Sequence, residues 1–244
     1  MIVEYILLAL SVIALVLMEI SPHLVFESPK NQGVGYTAGR TQSKFRVYGT
    51  KQYFIMRVVF VLLVTSLGVF GAVETELGQY AFTVCAFGLF MTAEILMAVH
   101  ELKNASKTLL KKLGFVAKTL SLVFFVLAFG SIISNDIVSL ATTLLGFIVG
   151  AIVNKLANKR PFRLRPYITS AYSLTFSVLA LCIIAVLYSV SEFTVLELVG
   201  FSVLTVGGMI YILNLKTEWS YYASSVMHSV GYVLVALGFG FTFN

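Results

Sequence analysis

Few residues in this 244-residue sequence can do chemistry, and three of them stand inside long apolar runs. Glu94 occupies Met91-Thr92-Ala93-Glu94-Ile95-Leu96-Met97, Lys118 follows Phe115-Val116-Ala117, and His228 has Ser224, Ser225, Ser229, Tyr221 and Tyr232 at helical spacing. A charged group in an apolar medium is costly unless it is paired or meets water, so each position marks a candidate site. Glu94 and Lys118 lie on consecutive apolar segments at similar depth from the same end, which predicts an ion pair between them. Such a pair is either a folding salt bridge, with snorkelling of both side chains as a variant, or a gate or proton-linked site. His228 lies roughly 12–14 Å along its segment at ~1.5 Å per residue. An imidazole there can relay protons or bind a metal; the alternative is a neutral ring hydrogen-bonded to a serine hydroxyl or a backbone carbonyl. Ser224 and Ser225 predict a polar pocket beside it.

Other chemistry is weaker. Gly33, Gly35 and Gly39 with Arg40 could form a backbone nest for a phosphate or lipid headgroup. No Gly-Lys-Ser/Thr follows, so this is not a Walker A loop. The run Gly33-Val34-Gly35-Tyr36 does not make a cation filter either, because no apolar pore helix precedes it and Arg40 and Lys44 would repel cations. The histidines are His23, His100 and His228, with no HxxxH or HExxH spacing, so neither a metal nor another cofactor is expected. A GxSxG elbow, a GxSG serine and paired aspartates are missing, and the last apolar run has no lysine for a retinal Schiff base. An intramembrane enzyme is therefore the third reading, and the balance is against an enzyme.

The elements that must position these residues follow from composition. The chain is 59% apolar and 11% charged, with mean hydropathy +0.94, against about 45–50% and about 25% for a soluble domain. A chain with so little polar surface belongs in a bilayer. Apolar segments of about 17–25 residues cross one as helices. Eight such segments are predicted, over 2–20, 53–73, 79–99, 113–133, 137–153, 167–189, 197–214 and 220–242, the fifth being the shortest. All four prolines are expected between spans. The fold expected is an all-α polytopic bundle forming one transmembrane domain over 1–244, with a cytoplasmic loop at 21–52. The N-terminal run lacks the basic region of a cleavable signal and is read as a retained span; no lipidation motif is present.

Lys and Arg set the orientation. All 17 fall in or beside the odd-numbered connections, whereas the even ones carry Glu74, Glu76, Asp136, Glu192 and Glu197. The odd connections are thus expected in the cytoplasm and both termini outside, in the plasma (inner) membrane. The positive charge of +6 reads as this asymmetry and not as a nucleic-acid footprint. Cys85 and Cys182 both lie in apolar runs and make no disulfide framework.

After the first span the chain reads as three helical hairpins turning near Glu76, Asp136 and Glu192, either a repeat or the ordinary length of a membrane hairpin. Gly146 and Gly150 form a GxxxG motif that can seam two copies together. Tyr and Trp near the span ends form an anchoring belt. Besides the lipid bilayer, a cytoplasmic protein partner suits the basic face. The first functional reading is a small-solute or ion transporter or channel with a polar intramembrane site. The alternative is a membrane-embedded subunit of a sensory, scaffolding or defence assembly.

Overall fold

The computed structural model describes residues 2–24, 51–72, 77–102, 108–133, 135–158, 164–187, 193–213 and 218–240. They form eight α-helices: α1 Ile2–Leu24, α2 Lys51–Ala72, α3 Leu77–Leu102, α4 Thr108–Ile132, α5 Asp136–Ala157, α6 Arg165–Leu187, α7 Phe193–Leu213 and α8 Glu218–Gly240. Among the described residues there is no strand. Helices satisfy every backbone N–H and C=O within the segment, as an apolar solvent demands. Seven of them, α2 to α8, are long and apolar enough to cross a membrane, which marks the chain as a multi-pass membrane protein. α1 is 23 residues long, carries Glu4 and Glu19, and stands outside these seven.

The helix bounds lie close to the hydropathy segments, with informative exceptions. α5 runs over 22 residues and is not short. Asn154 and Lys155 end the apolar run, yet the helix continues to Ala157, with the Asn154 amide buried and bonded to the Gly150 carbonyl (2.8 Å). Pro166 falls inside α6, in the first turn, where its missing N–H would have no intrahelical partner. Pro22 falls in the last turn of α1. Glu197, expected in an outer connection, lies one turn into α7, buried against Gly238 of α8.

Packing departs from the hairpin reading. α4 and α5 share a short connection but scarcely touch. The closest pairs are α7 with α8, α3 with α4, and α5 with α6, each joined through a basic connection. The reason for α5 is visible in its glycines. A Cβ on Gly146 would lie 2.7 Å from the Ser177 Cα, and one on Gly150 2.7 Å from the Ser173 Cα, so only glycine allows this approach to α6. The GxxxG face is therefore buried within the chain, against its own α6.

Taken in order of contact, α2, α3, α4, α6, α7 and α8 close into a ring of six helices. α1 lies outside it against α2 and α8, and α5 lies outside against α6. One half of the ring interior is filled by phenylalanines. Phe125 meets Phe201 (5.4 Å between centroids), Phe87 (5.3 Å) and Phe239 (6.0 Å), and Phe129 meets Phe201 and Phe239 (5.8 and 5.5 Å). These contacts join α3, α4, α7 and α8 across the ring, in the edge-on and tilted geometries that aromatic quadrupoles favour.

Candidate functional site

The other half of the ring interior is polar. Arg57, Glu94, Lys118, Tyr172 and His228 lie roughly 9–15 Å, at ~1.5 Å per residue, from the helix ends that bear the basic connections, and Glu101 lies in the last turn of α3 at that end. Arg57 enters from α2. Its Nε and Nη2 both donate to Glu94 Oε2 (3.2 and 2.6 Å), and its Nη1 donates to Glu101 Oε2 (2.6 Å). Glu94 and Glu101 are seven residues apart on α3, two turns on one face, so one guanidinium can span both. The planar fork of arginine suits this double task, and charge-assisted hydrogen bonds of this length are the strong ones. The three side chains are mostly buried.

Lys118 does not pair with Glu94. Among the described residues no carboxylate lies within ion-pair distance (4 Å) of its ammonium, and Glu94 is taken by Arg57. Instead the Lys118 Nζ lies 5.4 Å from the Tyr172 ring centroid and 5.7 Å from that of Tyr232. The residue is only 7% exposed. Two π faces in a dry site stabilise a cation that has no counter-ion in contact, and Glu94 still acts on it through space. The expected direct pair is thus corrected: α2, packed on α3, brings in the better-matched cation.

His228 makes the backbone-carbonyl hydrogen bond of the second alternative drawn from the sequence. Its Nδ1 lies 2.7 Å from the Ser224 carbonyl, and its Nε2 lies 3.3 Å from the Tyr172 hydroxyl. A carbonyl can only accept, so Nδ1 carries the proton; in the neutral ring Nε2 then accepts from tyrosine. Ser224 Oγ donates to the Gly207 carbonyl (2.9 Å) on α7. Ser225 Oγ donates to Glu19 Oε1 (3.3 Å) on α1. Beside His228, Ser224 holds the ring through its backbone carbonyl and Ser225 points to a different helix.

Gly207 and Gly208 make the room. A Cβ on Gly207 would lie 3.1 Å from His228 Nδ1, and one on Gly208 only 2.3 Å from Tyr172 Cε1. Tyr232 stacks on Phe90 (3.7 Å between centroids, 29°) and so stands where the polar half meets the phenylalanine half.

The structure therefore gathers Glu94, Lys118, His228 and Ser224 into one site, with Ser225 at its α1 side. The other expected residues, Gly33, Gly35, Gly39 and Arg40, lie outside the described residues. Sequence reasoning missed Arg57, Glu101, Tyr172 and Glu19. In the sequence Arg57 counts among the 17 basic residues that set orientation. Glu19 carries the signal that singled out Glu94, a carboxyl in an apolar run. Tyr172 carries none, because a tyrosine at mid-span looks like any other core aromatic.

No protein-family model, no curated protein and no solved structure matches this chain.

Proposed function

We propose that this protein is a small-solute or ion transporter or channel whose path follows the axis of the six-helix ring. Arg57, Glu94, Lys118, Tyr172 and His228 form its binding station. The supporting observation is the charged cluster on the ring axis, inside helices that are otherwise apolar. Buried ion pairs are poor stabilisers compared with apolar packing. Charges kept in a membrane interior are the usual mark of a solute or ion path. The phenylalanine half then acts as a hydrophobic constriction, which conducts only when its rings move apart. The test is flux from purified protein in lipid vesicles. Wild type should release one or more of K⁺, Na⁺, Cl⁻ or small organic ions above the rate of empty vesicles. Lys118→Met should reduce that flux by about tenfold or more, since one charge in a low-dielectric path is worth well over 1.4 kcal/mol. Vesicles that leak no solute faster than protein-free ones would end this reading.

The orientation proposed with it puts the basic connections in the cytoplasm and both termini outside, in the plasma (inner) membrane. It rests on the segregation of all 17 Lys and Arg. Single cysteines at Gln32 and Thr75, in a background with Cys85 and Cys182 changed to alanine, check it. In intact cells an impermeant maleimide should label Thr75→Cys and spare Gln32→Cys. The opposite pattern overturns the orientation.

A further inference from the structure

One buried acid has no place in the station described above. Glu19 lies on α1, outside the ring, and its side chain enters the packing of α1 against α2 and α8. It is 5% exposed. Its Oε1 accepts from Ser225 Oγ, and its Oε2 is buried with no hydrogen-bond partner among the described residues. The charged group of α2 that acts on it through space is Arg57, which makes no hydrogen bond or ion pair with it among the described residues. From α8 it meets Ser225, with His228 one turn on. Among the described residues, every Arg57 hydrogen bond goes to α3, to Glu94 and Glu101. A carboxyl group in an apolar seam, with one oxygen unmatched and the nearest guanidinium committed elsewhere, is badly suited to holding a net charge.

A metal cation needs several oxygen ligands, and among the described residues the Ser225 hydroxyl is the oxygen hydrogen-bonded to the Glu19 carboxyl. A proton needs one lone pair, which Oε2 offers. Ser11 adds a second observation on the same helix. It is fully buried on α1, eight residues before Glu19, and its hydroxyl has no partner among the described residues. Thr175 and Thr205 bond back to the carbonyl four residues earlier, whereas Ser11 shares its lack of a partner among the described residues with Thr65, Thr83 and Ser173. The unmatched groups of Glu19 and Ser11 lie about 12 Å apart along α1, running from the level of the axial station toward the opposite end.

We infer that Glu19 is a proton-binding site at the seam of α1, α2 and α8, and that its proton uptake and release is coupled to the axial station through Arg57. With the proton on Oε2, the carboxyl is neutral and Arg57 stays with Glu94 and Glu101. When the proton leaves, the Glu19 carboxylate competes for the same guanidinium and draws it from α3. The proton passes between water and Oε2, and no other bond changes. The inference rests on the transport reading and names a proton as the ion that drives or follows the solute.

Two measurements test it. In the first, wild-type protein in vesicles holding a pH-sensitive dye should collapse an imposed pH gradient faster than empty vesicles. Glu19→Gln, which keeps the shape and removes the titration, should slow this by about tenfold or more, in the range for losing one positioned proton carrier. Thr205→Val should leave it unchanged. A Glu19→Gln protein with wild-type proton flux overturns the inference. So does wild type that moves another ion or solute but no protons, an outcome that leaves the transport reading standing; vesicles that move nothing end both. The second uses unmutated protein and does not depend on the variant folding. Dicyclohexylcarbodiimide modifies carboxyl groups that hold a proton in apolar surroundings. Peptide mapping should find the adduct on Glu19 and not on the Arg57-paired Glu94. An adduct on Glu94 with Glu19 untouched overturns the assignment.

Discussion

Arg57→Met is expected to lose about 3–5 kcal/mol of folding free energy, the range seen when one partner of a buried ion pair is removed. The size follows from what the guanidinium holds. It supplies three hydrogen bonds to two carboxylates of α3, and methionine supplies none. Glu94 and Glu101 would be left facing each other two turns apart, both mostly buried. Lys118, fixed above two tyrosine rings, is not placed to take over. The measurement is the unfolding midpoint in mixed detergent micelles. Adding Glu94→Gln and Glu101→Gln to Arg57→Met should restore part of the loss, since no carboxylate is then stranded, while Lys118 keeps its two tyrosine faces but loses the charge of Glu94. A double-mutant cycle sharpens the point, because contacting pairs couple by about 0.5–3 kcal/mol. The Arg57–Glu94 coupling should exceed the Glu94–Lys118 coupling. An Arg57→Met protein as stable as wild type, or the reverse order of couplings, would refute the arrangement.

That cycle also separates what the sequence could and could not say about the site. Hydropathy placed the helices closely, because the membrane requirement acts on each segment alone. It also located Glu94, Lys118 and His228, because a titratable group in an apolar run is conspicuous whatever surrounds it. It could not choose partners. Lys118 and Arg57 stand at comparable depths on the two helices flanking α3. Only the rotation of those helices decides which one faces Glu94, and rotation is set by packing all round the ring. The same limit explains α5. Its GxxxG motif correctly announced a close helix contact, yet the motif carries no information on whether the neighbour belongs to the same chain. Glu197 was misplaced for a different reason. A carboxylate near the edge of an apolar run reads as a loop residue, but α7 starts earlier, at Phe193, and Gly238 leaves space for the side chain. As partners of Lys118, Tyr172 left no trace and Tyr232 showed only as a neighbour of His228, since cation–π partners need no charge and no fixed spacing.

Gly208→Ala should have the largest effect of any one-carbon change in the site. The added Cβ would lie 2.3 Å from Tyr172 Cε1 and 2.4 Å from its Cδ1, so the ring must move. It has little freedom to do so. Tyr172 lies under the Lys118 ammonium, bonds His228 and packs on Tyr211 (6.1 Å between centroids). Overpacking of this kind costs about 1–3 kcal/mol, which more than offsets the gain of up to about 1 kcal/mol that alanine brings to a helix interior. Gly88→Ala on α3 is the matched control: nothing lies within 4 Å of its Cβ, so that variant should be as stable as wild type or more stable. Flux should fall further than stability does. Displacing Tyr172 removes one face of the Lys118 cage and the partner of His228 Nε2 together. Combining Gly208→Ala with Tyr172→Leu tests this split, because leucine frees the space without restoring the ring. The double variant should regain its unfolding midpoint and remain impaired in transport. If Gly208→Ala alone behaves like Gly88→Ala in both measurements, then α7 does not press on Tyr172, and the close fit of Gly208, Tyr172 and Lys118 does not hold the station together.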